Sequence, residues 1–574
     1  MEEDKGTAAG ASGKQSPPPA QRPEGDRISP ARKARLAVLL CLLAGVVIVA
    51  VILNRRQQRT LNQLREGLSG AIQVMRDSVR RLDPNKPQDE LRLSKAQGLE
   101  AWDMANAFAE ALSSVGDPEE SDARLAEARR LAVALYYADA RLDEAIRLFN
   151  ELDIKQIEQE LDPARLQMAQ RAFSAFPALA IENADPQIHA NGKVYLQDCA
   201  ILWQIAWRTT GQAETDTEKA LRLCRWCALH LMPVEEEAQP AMPAMVVMQG
   251  RGSPGQIAWT YADIARQVGL VVDMAILGRE GAPQQYLIQV RPSDDEPFLV
   301  IPSLGVPVLD PETEELLSLQ SLLERPESYA ALMALAGQEA PYEAEDFAQA
   351  KVKTVVHPYA LFSRFQVLAH LLSDLPSAPR LAFEMSSARS ASAPAVWDLP
   401  FQTLQQLRTP GGASEEQLAL LQMTGDPRLR QMRGFYDSAD AAYENLARSL
   451  QARLARTDVV EAATSLRRMI ETVEFFAASN LHDARAWPLA EKRLREHLEA
   501  HPTGQWSAMA RTLLAESFSA SAKSEEAARL WKELEHPRRL YGALRLRDLL
   551  PLPPLYQLAP VGLPQSTGPD SDSS

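Results

Sequence analysis

Apolar residues recur along most of this chain at helical spacing, and one stretch breaks the habit. Over residues 256–268, Ile257, Ala258, Tyr261, Ile264, Ala265 and Val268 fall on one helix face, and Gly269 supplies a C-terminal stop. The period then changes. Residues 270–277, 286–290 and 298–302 are short apolar or alternating runs separated by turns rich in Gly, Pro and Asp, which predicts three strands. Upstream, residues 215–231 predict a helix capped by Thr215 or Thr217, with Leu221, Cys224, Ala228 and Leu231 along one face. Downstream, 310–335, most of 345–375 and 414–534 read as helix after helix, with hinges at Asp426-Pro427 and His501-Pro502.

The N-terminal part has a different logic. Residues 36–53, LAVLLCLLAGVVIVAVIL, carry no charge and are just long enough at ~1.5 Å per residue to cross a bilayer core. The run is longer than a signal-peptide core and no Ala-x-Ala site follows it, so a membrane anchor is expected. Arginines and lysine flank it on both sides in similar number; a short cytoplasmic N-terminus with the bulk of the chain extracytoplasmic is the expected arrangement. Leu61, Leu64, Leu68, Ala71, Met75, Val79 and Leu82 approximate a heptad seam, which suits either homo-oligomer contact over 61–82 or packing on the chain's own core.

The expected organisation is therefore a polar tail (1–35), a span (36–53), a juxtamembrane helical region (54–185), a small α+β module (186–310), a helical extension (311–385), a Ser/Ala/Pro-rich linker (386–400), a C-terminal helical domain (401–550) and a tail (551–574). The fold class is mainly α around that module. Two places, Tyr136/Ala145/Phe149 and Phe518/Ala527/Trp531, have a bulky residue, a small Ala and an aromatic at equal spacing, and this resembles the helical hairpin of tetratricopeptide repeats.

Composition narrows the function classes. A net charge of −15 over 574 residues argues against a general nucleic-acid binder, which needs a basic face. Four cysteines (Cys41, Cys199, Cys224 and Cys227) do not make a disulfide framework.

The order loop, helix, strands over residues 251–307, with Arg266-Gln267-Val268-Gly269-Leu270 at the helix end, resembles the core of the transglutaminase-like superfamily. That resemblance implies a cysteine nucleophile opening the helix, a histidine opening the next strand but one, and an aspartate on the strand after it. The matching positions here are Pro254, Gln285 and Pro302 (or its neighbour Ser303). No cysteine follows Cys227 and no histidine lies between His230 and His357, so no shift of register recovers the triad. Proline has no titrating group, glutamine cannot shuttle a proton near neutral pH, and Ser253 without a base is not an activated nucleophile.

Cys224-Arg225-Trp226-Cys227 has redox or metal spacing, but it sits inside a helix without a second pair, and His230 alone does not complete a zinc site. Glu235-Glu236-Glu237 and Asp294-Asp295-Glu296 read as solvated turns, and Trp203, Trp207 and Trp226 as packing residues. No cofactor and no metal site is assigned. The expected function is a membrane-anchored, non-catalytic scaffold that binds a protein or peptide in a cleft at Pro254, Gln285 and Pro302. The alternatives are a divergent envelope hydrolase or peptidase with other catalytic residues, and an assembly factor acting through the helical hairpins.

Overall fold

The structure, a computed structural model, describes Ile146, Asn150, Leu161 and residues 163–547 apart from 186, 212, 235–238, 279–283, 294, 336, 338–341, 373–379, 382–394 and 409–414. The span at 36–53, the seam at 61–82, the Tyr136 hairpin, Glu235-Glu236-Glu237 and the tail from 551 lie outside the described residues. Among the described residues, no helix is long and apolar enough to cross a membrane.

Four helices come first: α1 (Pro163–Ala175), α2 (Pro177–Asn183), α3 (Ala190–Thr210) and α4 (Asp216–His230). Thr215 caps α4, its hydroxyl accepting from the Glu218 N–H at 3.1 Å. A two-residue parallel pair, β1 (Met232–Pro233) with β2 (Arg251–Gly252), brackets α5 (Pro243–Gln249) and sets up α6 (Pro254–Gln267). Every residue of α6 after Pro254 is buried.

Then come β3 (Val271–Leu277), β4 (Gln285–Arg291), β5 (Phe298–Ile301) and β6 (Val306–Pro307). Helices α7 (Leu319–Glu324), α8 (Pro326–Leu335) and α9 (Ala344–Ala348) follow, and then β7 (Lys351–Thr354). A 3₁₀ turn at Pro358–Leu361 leads to α10 (Ser363–Leu372) and α11 (Leu399–Arg408).

The sheet is antiparallel throughout, in the order β6-β5-β4-β3-β7, with Met274 opposite Ile288 and Ile288 opposite Val300. Side chains alternate between its faces. Met274, Ile276, Ile288, Val290, Phe298 and Val300 pack with Ile257, Trp259 and Ile264 of α6 in one core. Ala275, Leu277, Leu287, Leu299 and Ile301 belong to a second core. Burial on both faces is why these strands read as nearly continuous apolar runs.

The second core is continuous with a C-terminal array: α12 (Glu415–Arg433), α13 (Tyr436–Leu454), α14 (Val460–Asp483), α15 (Trp487–Ala500), α16 (Ser507–Ala520), α17 (Ser524–Glu533) and α18 (Arg539–Leu546). Each helix of the array packs on the next. Phe518, Ala527 and Trp531 are buried along the α16–α17 hairpin.

Helix α4 joins the array to the rest through buried polar contacts. Arg225 pairs with Glu516, which also accepts from the Tyr541 hydroxyl at 2.6 Å. Arg538, fully buried, donates to the carbonyls of Ser303 (2.9 Å) and Leu231.

Three details differ from the sequence reading. Strand β7 lies in what reads as the helical extension: its alternation is short, and an edge strand needs only one neighbour, here β3 with Asp273 opposite Thr354. The described end of the expected linker, from Ala395, lies against the sheet, where Val396 bridges to Thr354 of β7. Pro427, expected as a hinge, sits inside α12. Proline removes one helical hydrogen bond, but the turn after it is anchored. Arg428 donates to the Val247 carbonyl at 3.4 Å, and Gln431 donates to Asp483 at 2.7 Å and Ser479 at 3.2 Å.

Candidate functional site

Pro254 is the first residue of α6, where its missing N–H would have had no helical partner. Ser253 caps the helix: its hydroxyl accepts from the Gln256 N–H at 3.2 Å, and its own N–H donates to the Gln256 side chain at 2.9 Å. Gln256 in turn donates to the Gln239 carbonyl at 2.8 Å. The Ser253 hydroxyl, next to the expected nucleophile position, is thereby committed to a capping box.

Gln285 opens β4 at the same end of the sheet, but it shares a face with its cross-strand partner Leu277, which belongs to the second core. Helix α6 packs on the other face. The residue that faces the start of α6 is Tyr286. A methyl group placed on Gly255 would stand 3.4 Å from the Tyr286 ring. Pro302 is buried and opens the tight turn into β6, its carbonyl accepting from the Gly305 N–H at 3.2 Å. Pro254, Gln285 and Pro302 thus share one end of the sheet region but do not converge on one face.

The start of α6 is also covered by the protein's own chain. The same methyl on Gly255 would stand 3.3 Å from Leu399 and 3.6 Å from Trp397. Trp397 packs on Tyr286 with ring centroids 5.8 Å apart. Backbone bonds from Thr354 to Ala395 (2.9 Å) and from Trp397 to Thr354 (3.0 Å), with a Lys353–Asp398 ion pair at 3.0 Å, hold this segment in place.

A second cluster lies near the far end of α6. Tyr195, Asp198, Cys199, Asp263, Arg266 and His357 surround a cavity of about 10 Å³ measured with a water-sized sphere, roughly the room one water needs. Arg266 pairs with Asp263 at 3.0 Å and reaches the Val355 carbonyl at 3.5 Å, tying α6 to the chain leaving β7.

Burial pushes Asp198 up to about 8, with the Asp263 charge adding to it, so that it is largely protonated at neutral pH. Burial raises Asp263 to about 6 in spite of Arg266. The Cys199 thiol is pushed far up by burial, and His357 is held well below its usual range for the same reason. Both are buried on this cavity, the thiol protonated and the imidazole neutral at pH 7. The cluster is a polar knot in the first core. Its sequence signal was present in Asp263 and Arg266, three apart on one helix.

Cys224 and Cys227 are each 1% exposed and are free thiols. Burial raises both, with each other's proximity adding to the effect on Cys224, so neither is a thiolate. Trp226 stacks on His230 with centroids 4.8 Å apart, and Trp203 on Trp207 at 5.8 Å. These aromatic pairs lie within single helices.

No family model, no curated protein and no solved structure matches this chain.

Proposed function

We propose that the chain is a membrane-tethered, non-catalytic scaffold in which a transglutaminase-like helix–sheet core, stripped of its chemistry, carries a helical array that binds a protein partner. The observation that carries this reading is the start of α6. Proline holds the nucleophile position, Ser253 is consumed as a cap, and Trp397 and Leu399 lie where a substrate would approach. The expected cleft at Pro254, Gln285 and Pro302 is therefore filled from within, and recognition falls to the outer surface. Two large apolar side chains support that placement: Trp207 is 39% exposed and Phe435 52% exposed. They flank the contact in which Arg208 donates to the Met432 carbonyl at 2.9 Å. Exposed aromatics of this kind are enriched in protein interfaces. The tether is the uncharged run at 36–53.

The test is a turnover screen of the purified native protein against peptide and amide substrates, beside a Pro254→Cys/Tyr286→His variant. Turnover by the native protein would overturn the scaffold reading. The expected result is none, together with a cross-linked partner that a Trp207→Ala/Phe435→Ala variant no longer captures.

A further inference from the structure

Helix α15 carries His497 and ends at Ala500, with His501 as the residue that caps it. Four residues apart, these two imidazoles lie on the same side of the helix. Glu474 comes from the neighbouring helix α14, and its carboxylate is 3.1 Å from Nε2 of His501. One ligand atom from each of Glu474, His497 and His501 lies within 4.8 Å of the others.

The environment of His497 is the second, independent observation. The residue is 3% exposed, beside Phe475 with ring centroids 5.9 Å apart, and neither of its ring nitrogens has a hydrogen-bond partner. A buried imidazole with both nitrogens idle carries an uncompensated desolvation penalty. Neither nitrogen has a partner at hydrogen-bond distance, yet a second imidazole and a carboxylate stand within 4.8 Å. A metal ion would satisfy all three at once.

We propose that Glu474, His497 and His501 bind a divalent first-row transition metal of the zinc class. Two imidazoles and one carboxylate suit Zn(II) and its neighbours, whereas Ca(II) and Mg(II) prefer oxygen ligands alone. Bonds of about 2.0–2.2 Å would set the ligand atoms roughly 3.4 Å apart, so the cluster closes with about 1 Å of side-chain movement. Glu474 also receives the Gln451 amide at 3.5 Å, an outer contact that orients the carboxylate.

The order His497-Leu498-Glu499-Ala500-His501 places Leu498, not an acid, directly after the first histidine, and Glu499 is exposed. The site is a staple: it joins α14 to the end of α15 and to the turn that enters α16. His501 and Glu474 are partly exposed, which gives the metal a path in from solvent.

The inference stands apart from the scaffold reading, and its experiment reads metal rather than partners. The full-length chain is stripped with chelator and titrated with Zn(II) by calorimetry, and with Co(II) by visible absorption. One equivalent should bind the native protein and raise its melting temperature. Glu474→Gln and His501→Asn, both at partly exposed positions, should each weaken binding at least tenfold and abolish the Zn(II)-dependent rise. Glu499→Gln should bind as the native protein does. A His497→Ala variant that folds should lose the site entirely. If the native chain takes up no stoichiometric Zn(II), or if Glu474→Gln and His501→Asn bind it as tightly as native, the proposal is wrong.

Discussion

Nε2 of His230 lies 3.4 Å from a carboxylate oxygen of Asp483, so the last residue of α4 and the last residue of α14 meet in a buried pair. Burial holds the imidazole down to about 4, against the pull of Asp483 and with Arg428, His482 and Arg208 opposing its charge. Burial alone would raise Asp483, but His230, His482 and the Gln431 amide bring it down to about 2. Unfolding lets His230 take up a proton at an ordinary pKa near 6.5. Stability from this residue is therefore present above pH 6.5 and is lost as pH falls towards 4, by up to about 3 kcal/mol. A His230→Gln variant should lack this loss. Urea midpoints of both proteins from pH 7 to 4 give the comparison, and parallel curves would count against the assignment.

Asp198 acts with the opposite sign. Its folded pKa of about 8 lies above the ordinary carboxylate value, so the folded protein keeps a proton that the unfolded chain releases. Its contribution is complete below about pH 4 and is lost as pH rises through 8, on the order of 5 kcal/mol over the whole range. Asp198→Asn keeps the shape without the charge. That variant should gain stability over the native protein from pH 5 to pH 9, seen as a widening gap in denaturation midpoint. A constant gap would show that Asp198 does not titrate in this window.

Glu516 is the counter-charge to Arg225 and also accepts from Tyr541, with Arg545 3.2 Å away. Removing one partner of a buried pair costs about 3–5 kcal/mol, because the other charge is left without compensation. Glu516→Leu should lower stability by that amount, while Arg225→Met/Glu516→Leu together should recover only the part owed to Arg225, because Tyr541 and Arg545 still lose their acceptor. Chemical denaturation of the two variants separates the penalty of an orphaned charge from the net worth of the pair.

Gly305 sits in the turn after Pro302 with φ +73, and a Cβ there would lie 2.1 Å from the Cβ of Ala228 on α4. Gly305→Ala combines left-handed strain with a backbone clash and should cost about 2–4 kcal/mol. Adding Ala228→Gly should return only the part due to the Cβ contact, because the Ala228 Cα would still stand 2.8 Å away and the strain at φ remains. No rescue by the second change would mean that the Ala228 Cβ is not what fixes this residue.

How far the sequence reveals this protein depends on which physical signal each feature leaves. Helix α6 and the strands β3 to β5 were legible because periodicity and the stop at Gly269 are local. The mainly helical class followed from the same periodicity. Strand β7 was not legible, since four residues of Lys-Val-Lys-Thr give too little alternation to stand against flanking helical segments. Pro427 misled because its local rule was overruled by Arg428 and Gln431, whose partners lie far away in sequence.

The site shows the limit more sharply. Counting placed Gln285 against the start of α6, but strands alternate by one residue, and the side chain there belongs to Tyr286. The meaning of Ser253 was legible in principle: Ser253-Pro254-Gly255-Gln256 is the pattern of a capped helix start. The cover by Trp397 and Leu399 leaves no local trace, and of the cluster at Glu474 only the four-residue spacing of His497 and His501 does.

The two-faced burial of the central sheet sets the order in which the molecule can be finished. Leu277, Leu287, Leu299 and Ile301 are synthesised long before Phe475, Trp506 and Trp531, the partners with which they share a core. At ~5–20 residues per second, this second core stays incomplete for on the order of tens of seconds after the sheet could first form. Until α16 emerges, Arg225 has no Glu516 to pair with. A chain cut near residue 400 would hold that state permanently, so the array is better regarded as the second half of the fold than as a separable domain.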